Sequence, residues 1–556
     1  MKNILKKLFI LLISGTILFS CESMLSPDSE RVVFIDEYDL SATNDTLFSL
    51  FGVFTQLQNV ADSYVLLGEL RGDLMEVQST SNRFLKEIYD FNVSPENPYA
   101  SNVKDYYSIV NNCNYIIEKA ATLKEDDGVK LSAACKTIRA WTYMQIALNY
   151  GSAVYYTEPI LSVTQAEEVQ KRTPLKFNEL ADILISELTP IKDVEEPILN
   201  MQIHSTNFQY LLFPVQFVLG DLYLWTGQYE KAAQEYHDLI FKRSYTIPRG
   251  RNTTLRDVIN NVAFTGNYTT VGGGWHNLFT TVPNEYITNI ASTNEYGYKF
   301  HMDSISYNGE ITASEIAIRN WNKQVYVHSL NLDTLGDTRR IGSAANRLPA
   351  SNNVNQNFYF SEYDSLATQY IAKFTLMNPG SNSVRNTSKK IMVYRVGLLY
   401  LRYAEAINRM GKPNMAYAVM KNGLNPVNMS NRDIIPFSEV DSVNVPSYLD
   451  FSDIRFENNI GTKMRGSGNV NVDTLYYVIP ELPTKQDSIL YVEDKIQEEL
   501  ALETAFEGNR FHDLMRFAIR RNDNAYLADK VASKYTTNQD AIRTKLMDQA
   551  NWYIKK

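Results

Sequence analysis

Glu499, Glu503 and Glu507 recur every four residues in the stretch EELALETAFEGNRFHDLMRF, and Arg510 follows three residues later. On a helix this spacing lines three carboxylates along one face beside a guanidinium. Paired carboxylates can do general acid–base hydrolysis, provided that they face each other across the bond to be cut. A comb along one helix cannot do that. These side chains therefore read as helix-surface or inter-helix ion pairs beside Arg510, Arg516 and Asp513, and a hydrolase would have to use carboxylates such as Asp73 or Glu285. Metal and phosphate chemistry find less support. The histidines (His204, His237, His276, His301, His328, His512) lack ligand spacing, and Cys21, Cys113 and Cys135 form no CxxC pair. Gly272–Gly274 sit in neither a GxxxxGK(S/T) nor a GxGxxG context, so no metal or cofactor is expected.

Binding chemistry is better represented. Sugars are held by aromatic faces against their C–H-rich surfaces and by amide or guanidinium donors on their hydroxyls. Three stretches offer this. ENPYASNVKDYY carries Tyr99 and Asn102, with Arg71 or Arg83 further off. VGGGWHNLFT presents Trp275, His276 and Asn277 behind three glycines. NEYGYKF supplies Tyr296 and Tyr298, with Trp321 beyond in RNWNKQ. A bulky residue behind flexible glycines seldom starts a core strand, so Trp275 leads this set. Most of the 36 tyrosines are expected in packed helical interiors.

The elements that must position these groups follow from the rest of the chain. With 556 residues and 44% hydrophobic content, two or three lobes are expected. A net charge of −9 without a Lys/Arg block argues against nucleic-acid binding. Lys2, Lys6 and Lys7 precede an apolar run from Leu8 to Phe19, too short for a bilayer span of about 20 residues and proportioned like a secretory signal peptide. Leu18-Phe19-Ser20-Cys21 resembles the lipobox of bacterial lipoproteins, which implies that Cys21 is acylated and anchors the chain; Phe19 is larger than usual there. Residues 22–40 read as a tether, and no later segment could span a membrane. Cys113 and Cys135 fall in helical patterns as buried thiols, with a disulfide left open.

Helical periodicity runs from Leu47 to about Gly151 and through FNELADILISEL. In FPVQFVLGDLYLWTGQYEKAAQEYHDLI, Leu219-Gly220-x2-Tyr223 precedes Ala232-x3-Tyr236, the signature of a tetratricopeptide-type helix pair. Ala404 and Ala416, with Gly411 and Pro413 between them, repeat the spacing, and Arg139-Ala140-x2-Tyr143 is a weaker copy. The expected organisation is a signal peptide (1–20), a lipidated tether (21–40), an N-terminal helical-repeat part (41–249), an irregular ligand-facing insertion (250–390) and C-terminal repeat helices (391–556).

Taken in order, these pieces resemble the SusD/RagB family of outer-membrane nutrient-binding lipoproteins. The likeness rests on the lipobox at Cys21, on CKTIRAWTYMQIALNYGSAVYYTEPIL, on the repeat at 213–240, on Arg395, Arg402, Ala404, Glu405 and Ala406, and on Glu507, Gly508, Arg510, Asp513, Leu514 and Arg516 of the Glu-Gly-x-Arg-x2-Asp-Leu-x-Arg signature. Leu500 and Thr504 stand where the family usually has Arg and Leu. The resemblance implies a mostly α fold, a tetratricopeptide-like scaffold with a long, irregular, loop-rich insertion. It also implies a non-enzymatic protein at the cell surface that captures an oligosaccharide or peptide and delivers it to a SusC-type TonB-dependent transporter. In starch-binding members an aromatic residue and an Asn of the corresponding loop touch ligand; here these would be Tyr99 and Asn102, with Tyr in place of Trp. The aromatic and Asn content of the insertion favours a glycan, while an extended peptide could be held through its backbone. A surface hydrolase and a scaffold that binds only another protein are the alternative readings.

Overall fold

The computed structural model describes residues 43–123, 125–197, 202–203, 206–247, 275, 285–292, 299–325, 336–337, 339–347, 358–359, 369–371, 373–376, 386–387, 390–441, 444–466 and 477–555. The N-terminal part contributes α1 (Thr43–Asn59), α2 (Ala61–Glu69), strand β1 (Met75–Val77), α3 (Val103–Ala120), α4 (Glu125–Tyr150), α5 (Phe177–Leu188), α6 (Val215–Thr226) and α7 (Tyr229–Arg243). Strands β2 (Tyr286–Ala291) and β3 (Ile311–Ala313), helix α8 (Glu315–Asn322), and strands β4 (Ala344–Arg347), β5 (Phe358–Tyr359), β6 (Gln369–Ile371) and β7 (Lys390–Arg395) follow. The C-terminal part holds α9 (Val396–Arg409), α10 (Pro413–Lys421), α11 (Lys485–Glu503), α12 (Arg510–Arg521) and α13 (Asn524–Ala532). This is the mostly α, tetratricopeptide-like scaffold that the periodicity predicts.

The helix pairs form for the reasons visible in their residues. Every side chain of α6 from Val215 to Trp225 is buried, as befits a helix that is apolar on all sides. Gly220 lets the α7 ring of Tyr236 approach so closely that a Cβ there would lie 2.4 Å from it. The Tyr236 hydroxyl then donates to Asp221 (2.6 Å). Gly227 closes α6 at φ 77°, a conformation that costs glycine little. Gly411 takes φ 81° after α9, and Pro413 opens α10 at its first position. Helices α3 to α7 pack each on the next, and α7 lies directly on α9. The two repeats that the sequence separates are therefore stacked in space. Cys113 and Cys135, on α3 and α4, are free buried thiols.

Residues 250–390 are less irregular than expected where they are described. Strands β1-β3-β6-β4-β5 form one antiparallel sheet, with Met75 opposite Ala313 and Tyr370 between Thr312 and Ala345. A strand of the N-terminal part thus edges the sheet of the insertion. A second ribbon pairs β2 with β7 from Ala291–Lys390 to Tyr286–Arg395 and runs straight into α9.

The carboxylate comb is buried. The sequence places its ion pairs beside Arg510, Arg516 and Asp513; the cations that bind it come from elsewhere. Arg339 binds Asp337 (2.6 Å), Glu499 (2.7 Å) and Glu503 (2.6 Å). Arg395 binds Glu285 (2.9 Å), Glu503 (2.8 Å) and Glu507 (2.7 Å). Arg465 joins Glu285 to Glu503, Lys463 binds Glu499, and Lys373 binds Glu507. Five carboxylates and five cations are buried together. Nor is the comb a single helical face, because α11 ends at Glu503 and Glu507 follows a left-handed Phe506 (φ 70°). Burial alone would raise the Glu503 carboxyl, but Arg395, Arg465 and Arg339 outweigh it and hold it well below the usual range. Glu499 and Glu285 are lowered in the same way, against burial, by Arg339 and Lys463 and by Arg465 and Arg395.

The Glu-Gly-x-Arg-x2-Asp-Leu-x-Arg stretch is a set of long-range ties. The Glu69 carboxylate, at the end of α2, accepts from the backbone N–H groups of Phe506 (3.1 Å), Gly508 (2.8 Å), Asn509 (3.0 Å) and Arg510 (3.3 Å). Burial pushes Glu69 up to about 7 against the pull of those donors. Arg510 grips Asp73 with two bonds (2.5 and 2.7 Å), and Arg516 grips Glu405 with two (2.8 and 2.7 Å). Asp513 pairs with Arg402 and with Arg516. Thr504 hydrogen-bonds the Leu500 carbonyl (2.7 Å) where α11 ends. Gly508 sits at φ 90°, and its carbonyl would lie 1.8 Å from a Cβ on Gly68.

Two measurements check this architecture. Gly68→Ala forces backbone against backbone and should cost about 3 kcal/mol of unfolding free energy. Gly52→Ala, with nothing within 4 Å, should instead stabilise α1 by up to about 1 kcal/mol; denaturant melts that rank the two the other way would refute the close approach. The pH dependence has a defined sign. Glu285, Glu499 and Glu503 lie below the ordinary glutamate value of 4.5 in the folded protein. The unfolded chain therefore takes up protons first, and their contribution is complete above about pH 4.5 and lost as the pH falls below it. Glu503→Gln should lower stability by about 3–5 kcal/mol at pH 7 and flatten the acid limb of the profile.

Candidate ligand-binding site

A pocket of about 200 Å³ opens where four segments meet, lined by Glu196, Gln209, Tyr210, Pro214, Arg243, Tyr245 and Ile287. Three of the segments have a local reason for their course. Asn207 accepts from the Gln209 N–H (3.3 Å) and starts the short turn Phe208–Tyr210. Helix α7 ends at Arg243, and Ser244 in the left-handed region (φ 50°) turns the chain so that the Tyr245 N–H returns to the Ile240 carbonyl. The Tyr245 carbonyl is held in turn by the Tyr400 hydroxyl (2.8 Å). Strand β2 brings Ile287 and is fixed to the turn by Thr288, which donates to the Leu212 carbonyl (2.7 Å).

Behind the pocket stands a small apolar cluster of Trp275, Tyr286 and Met392, against which Tyr210 packs. The Tyr210 and Tyr286 rings meet edge to face at 6.0 Å. Lys390 lies 4.0 Å over the Tyr286 ring, and burial brings its amine down to about 8. At the pocket rim Arg243 pairs with Glu196 (2.5 Å). Burial would lower the Arg243 guanidinium, but Glu196 reverses the effect. The Tyr245 hydroxyl is raised by burial and is neutral, a donor as well as an acceptor. Two phenols, an amide and a bound ion pair around an open concavity suit a ligand rich in hydroxyl groups.

The residues predicted from the sequence fare differently. Trp275 is only 9% exposed. Its Nε1 donates to the Ser343 hydroxyl (3.0 Å), and Lys373 and Arg395 of the ion network lie 5.3 and 5.5 Å from its ring. It therefore supports the pocket from behind instead of facing a ligand, which corrects the expectation drawn from its glycine neighbours. Trp321 is a core residue as well, fully buried, with Nε1 donating to the Leu502 carbonyl (3.3 Å) and its ring against Phe506. Arg71 is buried among Leu67, Asn149, Trp552 and His512 and does not join Tyr99 and Asn102. Arg83 is exposed over Phe84. Tyr99 is half-buried beside Asn97, and Asn102 stands at the start of α3 without capping it. Cys21, His276, Asn277, Tyr296 and Tyr298 lie outside the described residues. Asp73 and Glu285, the carboxylates left for hydrolysis, are buried and ion-paired.

The sequence reading misses Tyr210 and Tyr245. A usable signal was an aromatic residue at or just beyond the end of a helix or turn, Tyr210 closing the turn Phe208–Tyr210 and Tyr245 following Ser244, since such a side chain does not continue the packed face of a helix.

No protein-family model matches the sequence, and no curated protein matches it either. Solved structures do. A SusD superfamily protein from Bacteroides vulgatus superposes with a TM-score of 0.59 at 14% identity, covering 93% of this chain and 96% of that one. A SusD homolog from Bacteroides thetaiotaomicron gives 0.56 at 13% identity over 91% and 92%. A SusD-like carbohydrate binding protein from Bacteroides vulgatus gives 0.54 at 14% identity over 85% and 83%. The agreement extends over most of both chains at 13–14% identity, and on that ground the protein is assigned the SusD-like fold.

Proposed function

We propose that the protein is a non-catalytic, lipid-anchored cell-surface protein that captures a glycan and passes it to a SusC-type TonB-dependent outer-membrane transporter. The pocket of Tyr210, Tyr245, Gln209, Arg243 and Glu196 carries the ligand class. Its phenol rings offer faces for sugar C–H groups, and its amide and ion pair offer donors and acceptors for hydroxyls. At about 200 Å³ it is smaller than the roughly 300–1,000 Å³ that encloses a drug-sized ligand. It therefore takes one residue of a longer chain whose remainder runs over the surface, where Tyr99 and Asn102 are further contacts. The carbohydrate-binding protein among the solved structures of this fold supports the same class. No described helix is long and apolar enough to cross a membrane, and the attachment assigned here is the acyl chains on Cys21.

Titration of the soluble form against a glycan panel checks the site. Tyr245→Ala should weaken the best ligand about tenfold or more, because a stacking aromatic contributes about 0.5–1.5 kcal/mol beyond its buried area; an unchanged Kd would remove the pocket from consideration. The anchor is checked separately by detergent phase partition. Wild type should enter the detergent phase and Cys21→Ser the aqueous phase, and equal partition would refute acylation.

A further inference from the structure

The buried arginines Arg339, Arg395, Arg402, Arg465, Arg510 and Arg516 each have a carboxylate partner. Arg71 does not. It is 2% exposed, and its five N–H groups meet three oxygen acceptors, all uncharged. Nε donates to the Leu67 carbonyl (2.7 Å), Nη1 to the Trp552 carbonyl (2.9 Å) and Nη2 to Asn149 Oδ1 (2.5 Å). The His512 ring nitrogen is 3.3 Å away, and the Phe511 face lies 4.4 Å from the guanidinium carbon. Burial and the neighbouring Arg71 bring His512 down to about 3, so the ring is neutral and adds no second positive charge beside the guanidinium. A buried cation without a counter-charge is costly, and proteins supply one from a side chain or from a bound ion.

The guanidinium also lines a cavity of about 130 Å³ that opens toward solvent. Lys545, Lys555, Asn92, Asn551 and Tyr553 share its wall; among the described residues no acidic side chain lines it, and Asp90 is the carboxylate that acts on Lys545 from nearby. Lys545 is tied to the Phe91 carbonyl (2.6 Å), so its ammonium stays at the rim. A buried guanidinium and two lysines on the wall of one cavity select for negative charge in a compact, oxygen-rich form.

We propose that this cavity is a binding site for a small oxyanion of carboxylate or sulfate type, held between Arg71 and the Lys545–Lys555 rim. The anion is either free in solution or the acidic substituent of a captured saccharide, and the site is separate from the pocket at Tyr245. Only the saccharide source rests on the proposed function; binding of a free ion does not.

Calorimetric titration of the purified protein at constant ionic strength, with chloride as background, tests this. Sodium sulfate and glucuronate should bind saturably and compete for one site, and glucose should not displace sulfate from it. A preference for sulfate identifies a free ion, and tighter binding of a glucuronate-bearing oligosaccharide than of glucuronate identifies the substituent. Arg71→Met removes three buried hydrogen bonds of the fold, so the lysines carry the test. Lys545→Met with Lys555→Met should weaken binding about tenfold, while Lys171→Met with Lys176→Met, at exposed positions elsewhere, should leave it unchanged. No saturable heat from either anion, or equal weakening by the two lysine pairs, overturns the proposal.

Discussion

Ten ionised groups buried together can persist only if their charges balance and every partner is in place, because each ion taken from water costs several kcal/mol that only its neighbours can offset. In this molecule Glu503 alone touches Arg339, Arg395 and Arg465. Those arginines come from the insertion, from the end of β7 and from the segment before α11, so the network fixes three regions of the chain against one helix. It also fixes the ribbon that ends at Arg395, and with it Ile287 at the pocket and the Trp275–Tyr286 support behind it. Apolar packing alone would tolerate small slips of that ribbon. A guanidinium shared among three carboxylates would not, since each bond has a defined direction.

The helical scaffold is largely legible in the sequence because its information is local. Gly220 with Tyr236, and Gly227 and Gly411 with their turns, are short-range requirements of helix pairing, and the structure contains each of them. The ionic core is not legible, because its bonds span long separations: Glu503 reaches Arg339 across 164 residues and Arg395 across 108. A comb of glutamates can be read, but the cations that answer it cannot. The candidate site lies between these cases. Glycines around Trp275 suggested exposure, yet an indole is large enough to be drawn into any adjacent apolar cluster. Tyr245 owes its place to the left-handed Ser244, and a serine in that conformation looks like any other serine in a sequence.

Aromatic and charged residues are divided by depth as much as by type. Tyr236 and Tyr394 lie in the core and share Asp221, whereas Tyr210 and Tyr245 end at a concavity open to solvent. Most of the buried guanidiniums are neutralised within the chain, and Arg71 is set among neutral acceptors. The same side chains therefore serve the interior in one place and the surface in another, according to what surrounds them.

The hold of Glu69 on the backbone of Gly508 spans 439 residues. At a synthesis rate of roughly 5–20 residues per second, the early helix waits for about 20 to 90 seconds before its partner exists. For that interval α2 lacks the segment that covers Gly68, and the carboxylate of Glu69 stays in water, where it is soluble and unstrained. The tie that closes the molecule therefore forms only after nearly all of the chain has been made.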